Sequence, residues 1–149
     1  MKKLFRLLPL LLIALVGVSL SACGDDKDDD KVIESNILPA PAKTFLETYY
    51  PGVSIAKVSK DNDNYDVSLA NGHDVDFDLA GEWLDVEAPV GQSIPSGFYP
   101  AAIDNYIATN AGAAAINEIS KESYGYEVTL TTGAEYDFNP QGEFLRYGD

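Results

Sequence analysis

The chain has 149 residues, 46% of them hydrophobic and 11% aromatic, which is enough to bury one core and too many for a disordered chain. Its 24 acidic against 10 basic residues leave a net charge of −14, which argues against nucleic acid as a partner, because phosphate binding needs a basic surface that releases counterions. A single cysteine, Cys23, excludes an internal disulfide, a four-cysteine zinc site and a CxxC redox pair.

Residues 1–22 read as a lipoprotein signal peptide. Lys2, Lys3 and Arg6 form a basic start, LLPLLLIALVGVSL follows as an apolar run, and small residues lead up to the cysteine. That run is shorter than the ~20 residues of an ordinary span. Its end, Leu20-Ser21-Ala22-Cys23, resembles the bacterial lipobox, and the resemblance implies that Cys23 is acylated and becomes the first mature residue. Each buried acyl methylene contributes roughly 0.8 kcal/mol, so a multiply acylated Cys23 would hold the chain at a membrane. Cleavage there removes three basic and no acidic residues, leaving 7 − 24 = −17.

Residues 23–36 are an acidic tether. After Cys23 comes GDDKDDDKVIESN, Gly24 to Asn36, with little to bury and no helical period. At full extension it reaches at most roughly 45 Å. The same acidic run resembles the surface-export signal of Bacteroidetes lipoproteins, and a plain spacer explains it as well. The expected location is an outer-membrane lipoprotein, periplasmic or surface-exposed.

Beyond the tether the chain is a duplication. DVDFDLAGEWL, Asp74 to Leu84, returns as EYDFNPQGEFL, Glu135 to Leu145, at an offset of 135 − 74 = 61 residues. The offset holds without a gap from Pro39 to Val86 and pairs Tyr65 with Tyr126, Val67 with Val128, Phe77 with Phe138, Gly81 with Gly142 and Leu84 with Leu145. Repeat 1 spans 37–87, and a connector with repeat 2 spans 88–149, the connecting stretch itself being VEAPVGQSIPS, Val86 to Ser96.

Each repeat opens on a helix. Ala42, Phe45, Leu46 and Tyr49 fall at i, i+3, i+4, i+7, and so do Ile103, Tyr106, Ile107 and Asn110. Pro39 and Pro100 suit helix starts, Pro51-Gly52 stops the first helix, and Asn110-Ala111-Gly112 stops the second. Four strands follow in each copy: IAKVS, YDVSL, HDVDFDL and EWLDV, then INEIS, YEVTL, AEYDFN and EFLRY. Asn71-Gly72 predicts a two-residue hairpin of the primed type, whereas Asp78 to Gly81 and Asn139 to Gly142 predict type I turns closed by a glycine at positive φ. Ile55/Val58 and Ile116/Ile119 break alternation, so the first strand of each repeat has a bulge or lies at an edge.

Alternation points Tyr65, Val67, Leu69, Val75, Phe77, Tyr126, Val128, Leu130, Tyr136 and Phe138 inward. It points Asp66, Ser68, Asp74, Asp76, Asp78, Glu127, Thr129, Glu135, Asp137 and Asn139 outward. The fold class is therefore α+β: two tandem helix-plus-four-strand repeats sharing an antiparallel sheet, helices packed on one face and the other face open and acidic.

The helix, the NG turn and the FDxxGEW stretch, duplicated behind a lipobox, resemble the PepSY-like, beta-lactamase-inhibitor-like family of Bacteroidetes envelope proteins over about Ile37 to Tyr147. The resemblance implies the same tandem fold, with the open sheet face as the interaction surface and no catalytic residue to carry over. A beta-lactamase is not the expected partner.

Little points to chemistry. His73 is the only histidine, its counterpart is Ala134, and GxSxG, HExxH and Walker loops are absent. No enzyme activity and no cofactor are expected. Calcium is the alternative function, with Asp61, Asp63 and Asp66 as candidate hard-oxygen ligands, although the spacing is not that of an EF-hand. The favoured expectation is a non-enzymatic protein that binds a protein or peptide with a basic patch through Asp66, Asp74, Asp76, Asp78, Glu127, Glu135 and Asp137. Trp83 and Phe144 join that face if Leu84/Val86 and Leu145/Tyr147 take the core side.

Overall fold

The computed structural model describes residues 31–32 and 35–148. The signal peptide, Cys23 and most of the acidic tether lie outside the described residues. One nine-stranded antiparallel sheet runs in chain order: β1 (Lys31–Val32), β2 (Ile55–Lys60), β3 (Asn64–Leu69), β4 (Asp74–Asp78), β5 (Trp83–Glu87), β6 (Ile116–Glu122), β7 (Gly125–Leu130), β8 (Glu135–Phe138) and β9 (Phe144–Tyr147). Two helices, α1 (Ala40–Tyr49) and α2 (Ala101–Asn110), precede β2 and β6. Among the described residues no helix is long and apolar enough to cross a membrane.

Both helices lie on one side of the sheet. Ala42 and Leu46 of α1 and Ile103 and Ile107 of α2 are buried, and Phe45 meets Phe77 edge-on at 5.6 Å as Tyr106 meets Phe138 at 5.5 Å. Asn110 is exposed, so the stripe of α2 ends a turn earlier than its spacing predicts. Val58, Val67, Val75, Phe77, Val86, Ile119, Val128, Leu130 and Phe138 form the sheet's contribution to the core.

Four of the six hairpins within the repeats, β3–β4, β4–β5, β7–β8 and β8–β9, use one turn. Gly72 N–H donates to Leu69 C=O at 2.9 Å and Leu69 N–H to His73 C=O at 2.8 Å, and the same pair of bonds recurs at Asp78 to Glu82, Leu130 to Ala134 and Asn139 to Glu143. Among the described residues no non-glycine residue has positive φ, while Gly72, Gly81, Gly133 and Gly142 all do. A four-residue turn closed this way without a positive central φ is type I, and the glycine is its bulge residue. The primed turn expected at Asn71-Gly72 is therefore corrected: Asn71 keeps negative φ, and only Gly72 needs the left-handed region.

Gly81 has a second reason to lack a side chain. A Cβ there would lie 2.8 Å from Pro39 Cβ and 2.9 Å from Ala42 N. At Gly142 a Cβ would meet Pro100 Cβ at 2.9 Å and Ala102 Cβ at 3.2 Å. The repeated glycine thus lets each hairpin lie against the start of its own helix.

Register shifts settle the strands that broke alternation. Bulges lie between Ile55 and Lys57 and between Ile116 and Glu118. Two further shifts occur where β4 meets β5 and where β8 meets β9, leaving Phe77 opposite Trp83 and Phe138 opposite Phe144.

Between repeats the chain does more than connect. Val86 and Glu87 belong to β5, so the linking segment starts at Ala88. Asn117, at the β6 bulge, donates its side-chain amide to the carbonyls of Ala88, Pro89 and Gln92 at 3.0, 3.1 and 2.9 Å. Phe98 then enters an aromatic cluster, with ring centroids 5.1 Å from Phe45, 5.2 Å from Tyr49 and 5.0 Å from Trp83.

Candidate functional site

Antiparallel pairing lines side chains of one parity into rungs that cross the whole sheet. On the side away from the helices one rung runs Ser59, Asp66, Asp76, Asp85, Ser120, Glu127, Asp137, Arg146. Its neighbour runs Lys57, Ser68, Asp74, Glu87, Glu118, Thr129, Glu135. The predicted residues Asp66, Asp74, Asp76, Glu127, Glu135 and Asp137 are brought together here. Asp85, Glu87 and Glu118 complete the face, and sequence reasoning did not place them in it. Val86 pointing inward carried the signal for Asp85 and Glu87, whereas the bulge before Glu118 hid its parity.

Like charges directly opposite one another are unfavourable, and half-burial sharpens the conflict. Asp76 is pushed up to about 7, first by burial, then by the charges of Asp66 and Asp85, a hydrogen bond with Asp66, and Asp74. Glu118 is likewise pushed up to about 7 by burial, then by Asp85, Glu87, Glu127 and Glu135. Ser120 relieves part of the seam by donating to Asp85.

At the β9 end the face is neutralised from within. Asp137 is 2% exposed, paired with Arg146 Nε at 2.5 Å and accepting from the Tyr124 hydroxyl at 2.9 Å. It is a buried anchor of the sheet edge rather than part of an accessible acidic surface.

Trp83 and Phe144 require correction. Both lie on the helix side, because the register shifts at β5 and β9 reverse the parity that a regular strand would have. Trp83 is 7% exposed, edge-on to Phe98 and stacked 6.1 Å from Tyr126. Phe144 stacks on Tyr106 at 4.7 Å. Neither ring belongs to the open face.

Asp78 also turns out to be a turn residue. Its Oδ1 accepts from Ala80 N–H and Glu82 N–H, both at 2.9 Å. Asn139 Oδ1 does the same for Gln141 and Glu143 at 3.0 and 2.9 Å. The carboxylate of Asp61 accepts from the backbone of Asp63 and Asn64 at 2.7 and 2.8 Å, which lowers its pKa. Asn64 Nδ2 donates to Asp66 at 2.5 Å. The run Asp61 to Asp66 is thus held by its own turn, and no group of three or more His, Cys, Asp or Glu among the described residues is placed to hold a metal ion.

His73 is buried, with Nδ1 3.2 Å from the Tyr50 hydroxyl, and burial lowers its pKa against the opposing charge of Asp74. The counterparts of Tyr50 and His73 are Ala111 and Ala134, so the pair is confined to repeat 1. It ties the end of α1 to the β3–β4 hairpin. A second unpredicted feature repeats in its lysine and changes its ring: Lys60 lies over Tyr65 at 5.0 Å, whereas Lys121 lies over Trp83, not over Tyr126, at 4.3 Å. The offset 121 − 60 = 61 carried that signal.

A family model described as "Putative beta-lactamase-inhibitor-like, PepSY-like" matches residues 26–71 and 63–146, both repeats. The chain belongs to that family. Among solved structures, a putative periplasmic protein of unknown function from Bacteroides vulgatus is 33% identical, with 80% of this chain and 98% of that chain covered and a TM-score of 0.75. A second putative periplasmic protein from Bacteroides vulgatus is 34% identical, with 83% and 100% covered and a TM-score of 0.75. A putative calcium-regulated periplasmic protein from Bacteroides thetaiotaomicron is 29% identical, with 82% and 98% covered and a TM-score of 0.76. No curated protein matches. These three structures share the fold of this chain.

Proposed function

We propose that the chain is a lipid-anchored, non-enzymatic envelope protein that docks a basic protein or peptide segment on the open face of its sheet. The observation that carries this reading is the double rung of carboxylates from Asp66 to Glu135, crossed only by serines and a threonine, with no described element covering it. Such a surface repels anions and raises the local concentration of cationic partners. The lipobox at Cys23 and the periplasmic names of the PepSY-like structures support an envelope location. The absence of any repeated nucleophile and base pair in the sequence supports a binding role rather than catalysis.

Calorimetric titration of soluble Gly24 to Asp149 with an extended Lys/Arg-rich peptide tests the reading. Binding should weaken with added salt and drop several-fold on Asp76→Lys. Asp63→Lys, the same charge change on an exposed turn, should leave it unaltered. Equal loss in both variants would reduce the effect to net charge and remove the site.

Calcium is the second reading, supported by the printed name of the Bacteroides thetaiotaomicron structure. Ligands would come from Asp61, Asp63 and Asp66. After chelation, heat on calcium addition that disappears in Asp63→Asn would establish it, and no heat at millimolar calcium would end it.

A further inference from the structure

The duplication places two equivalent sheet edges in different surroundings. β5 and β9 occupy the same place in their repeats. The outer edge of β5 is paired with β6, through Asp85 to Ser120, Val86 to Ile119 and Glu87 to Glu118. Among the described residues nothing pairs with the outer edge of β9, the last strand in the sheet order. Exposure records the difference: Val86 is 0% exposed, while Tyr147, its counterpart, is 65% exposed, and Leu145 beside it is 50% exposed.

Backbone direction on β9 is fixed. Gly148 N–H donates inward to Glu135 C=O at 2.8 Å, so by antiparallel alternation the N–H and C=O of Tyr147 point away from β8. They are placed as the corresponding groups of Val86 are, beside a strand that in repeat 1 is β6. Tyr147 also completes an aromatic flank on the helix side, with its ring 5.3 Å from Tyr136 and 5.2 Å from Phe144.

We infer that the outer edge of β9 is a strand-addition site for an extended segment of another protein, patterned like Ile116 to Ser120 of β6. Its apolar residue would pair with Tyr147 on the helix side, as Ile119 pairs with Val86. Its next residue on the open face would be acidic, a second carboxylate beside Arg146, which already pairs with Asp137 and stands where β5 has Asp85. A second copy of this chain does not supply the matching strand. Its β6 lies within its own sheet, the outer edge of its β2 is taken by Lys31–Val32, and its β9 carries Arg146 where the acidic residue is required. Main-chain hydrogen bonds give such an addition its affinity and the alternate side chains its specificity.

The probe is a synthetic peptide of the sequence Ala115 to Glu122 carrying the substitution S120D, added to isotope-labelled soluble Gly24 to Asp149. Saturable amide shifts at Leu145, Arg146 and Tyr147, with slowed exchange of the Tyr147 amide, are the expected result. The unsubstituted peptide should bind about two- to fivefold more weakly, the worth of one cross-strand charge pair. Tyr147→Pro should abolish the shifts. Arg146→Gln, which keeps the backbone donor and a side-chain N–H for Asp137, should erase the preference between the two peptides. An absence of shifts, or shifts confined to the acidic rungs, would overturn the inference. Self-association that Tyr147→Pro removes would also overturn it, by making a second copy the occupant.

Discussion

Replacing Asp76 by asparagine isolates the cost of crowding carboxylates on the open face. Asp76 ordinarily titrates at 3.8 and in the folded chain at about 7. Between those values the folded state holds more protons than the unfolded state, so stability is greatest below the window and is lost as pH rises through it. Each proton so linked changes stability by up to about 1.4 kcal/mol per pH unit. Because the carboxyl is only half-buried and solvent screens it, about 2 kcal/mol is a fair total for this group. Urea unfolding of soluble Gly24 to Asp149 near pH 5 and near pH 8 should therefore show the parent less stable at the higher pH. Asp76→Asn should gain about 2 kcal/mol near pH 8 and less than half of that, about 0.8 kcal/mol, near pH 5, where the unfolded carboxyl is already ionised. Asp63→Asn removes the same charge from an exposed turn and serves as the control. Equal gains in the two variants, or an Asp76→Asn gain no larger near pH 8 than near pH 5, would refute the reasoning.

Other substitutions test the remaining assignments. Trp83→Ala should cost about 3–5 kcal/mol in urea unfolding, and the native indole should emit at the short wavelengths of a buried ring; a red emission maximum would contradict its place beneath Phe98. Asp78→Asn should be nearly neutral by thermal melt, since Asn139 performs the same two backbone contacts, whereas Asp78→Ala should cost about 1 kcal/mol. Cys23→Ala should move the protein from the detergent-extracted membrane fraction to the soluble fraction; retention in the membrane would remove the acyl anchor.

Much of the architecture was legible because the chain states it twice. Phe77, Gly81 and Leu84 with their partners at 138, 142 and 145 fix the hairpins, and period-two alternation in β3, β4 and β7 sorts the acids from the core. Legibility failed where the backbone slips by one residue. Register shifts at β5 and β9 turn Trp83 and Phe144 inward, and no residue type in EWLDV or EFLRY announces them. Tertiary pairing escaped for a different reason. Asp137 looks like Asp76 in sequence, yet Arg146 and Tyr124 enclose it while Asp76 faces other carboxylates. Asp78 reads as an outward acid by alternation, although it accepts backbone hydrogens of its own turn as Asn139 does in repeat 2. Tyr50 and His73 required the opposite insight, that two unmatched positions touch.

Phe98 has a mechanical consequence. A single ring bridges α1, β5 and the connector, and Asn117 holds the start of that connector to β6. Bending one repeat against the other would have to draw the ring out from between Phe45 and Trp83 while breaking the β5–β6 ladder. The linked halves should therefore carry load as a stiff beam rather than as two plates on a hinge. A segment lying across the face would meet a ruler of fixed spacing, and its own flexibility, not that of the sheet, would decide how well it fits.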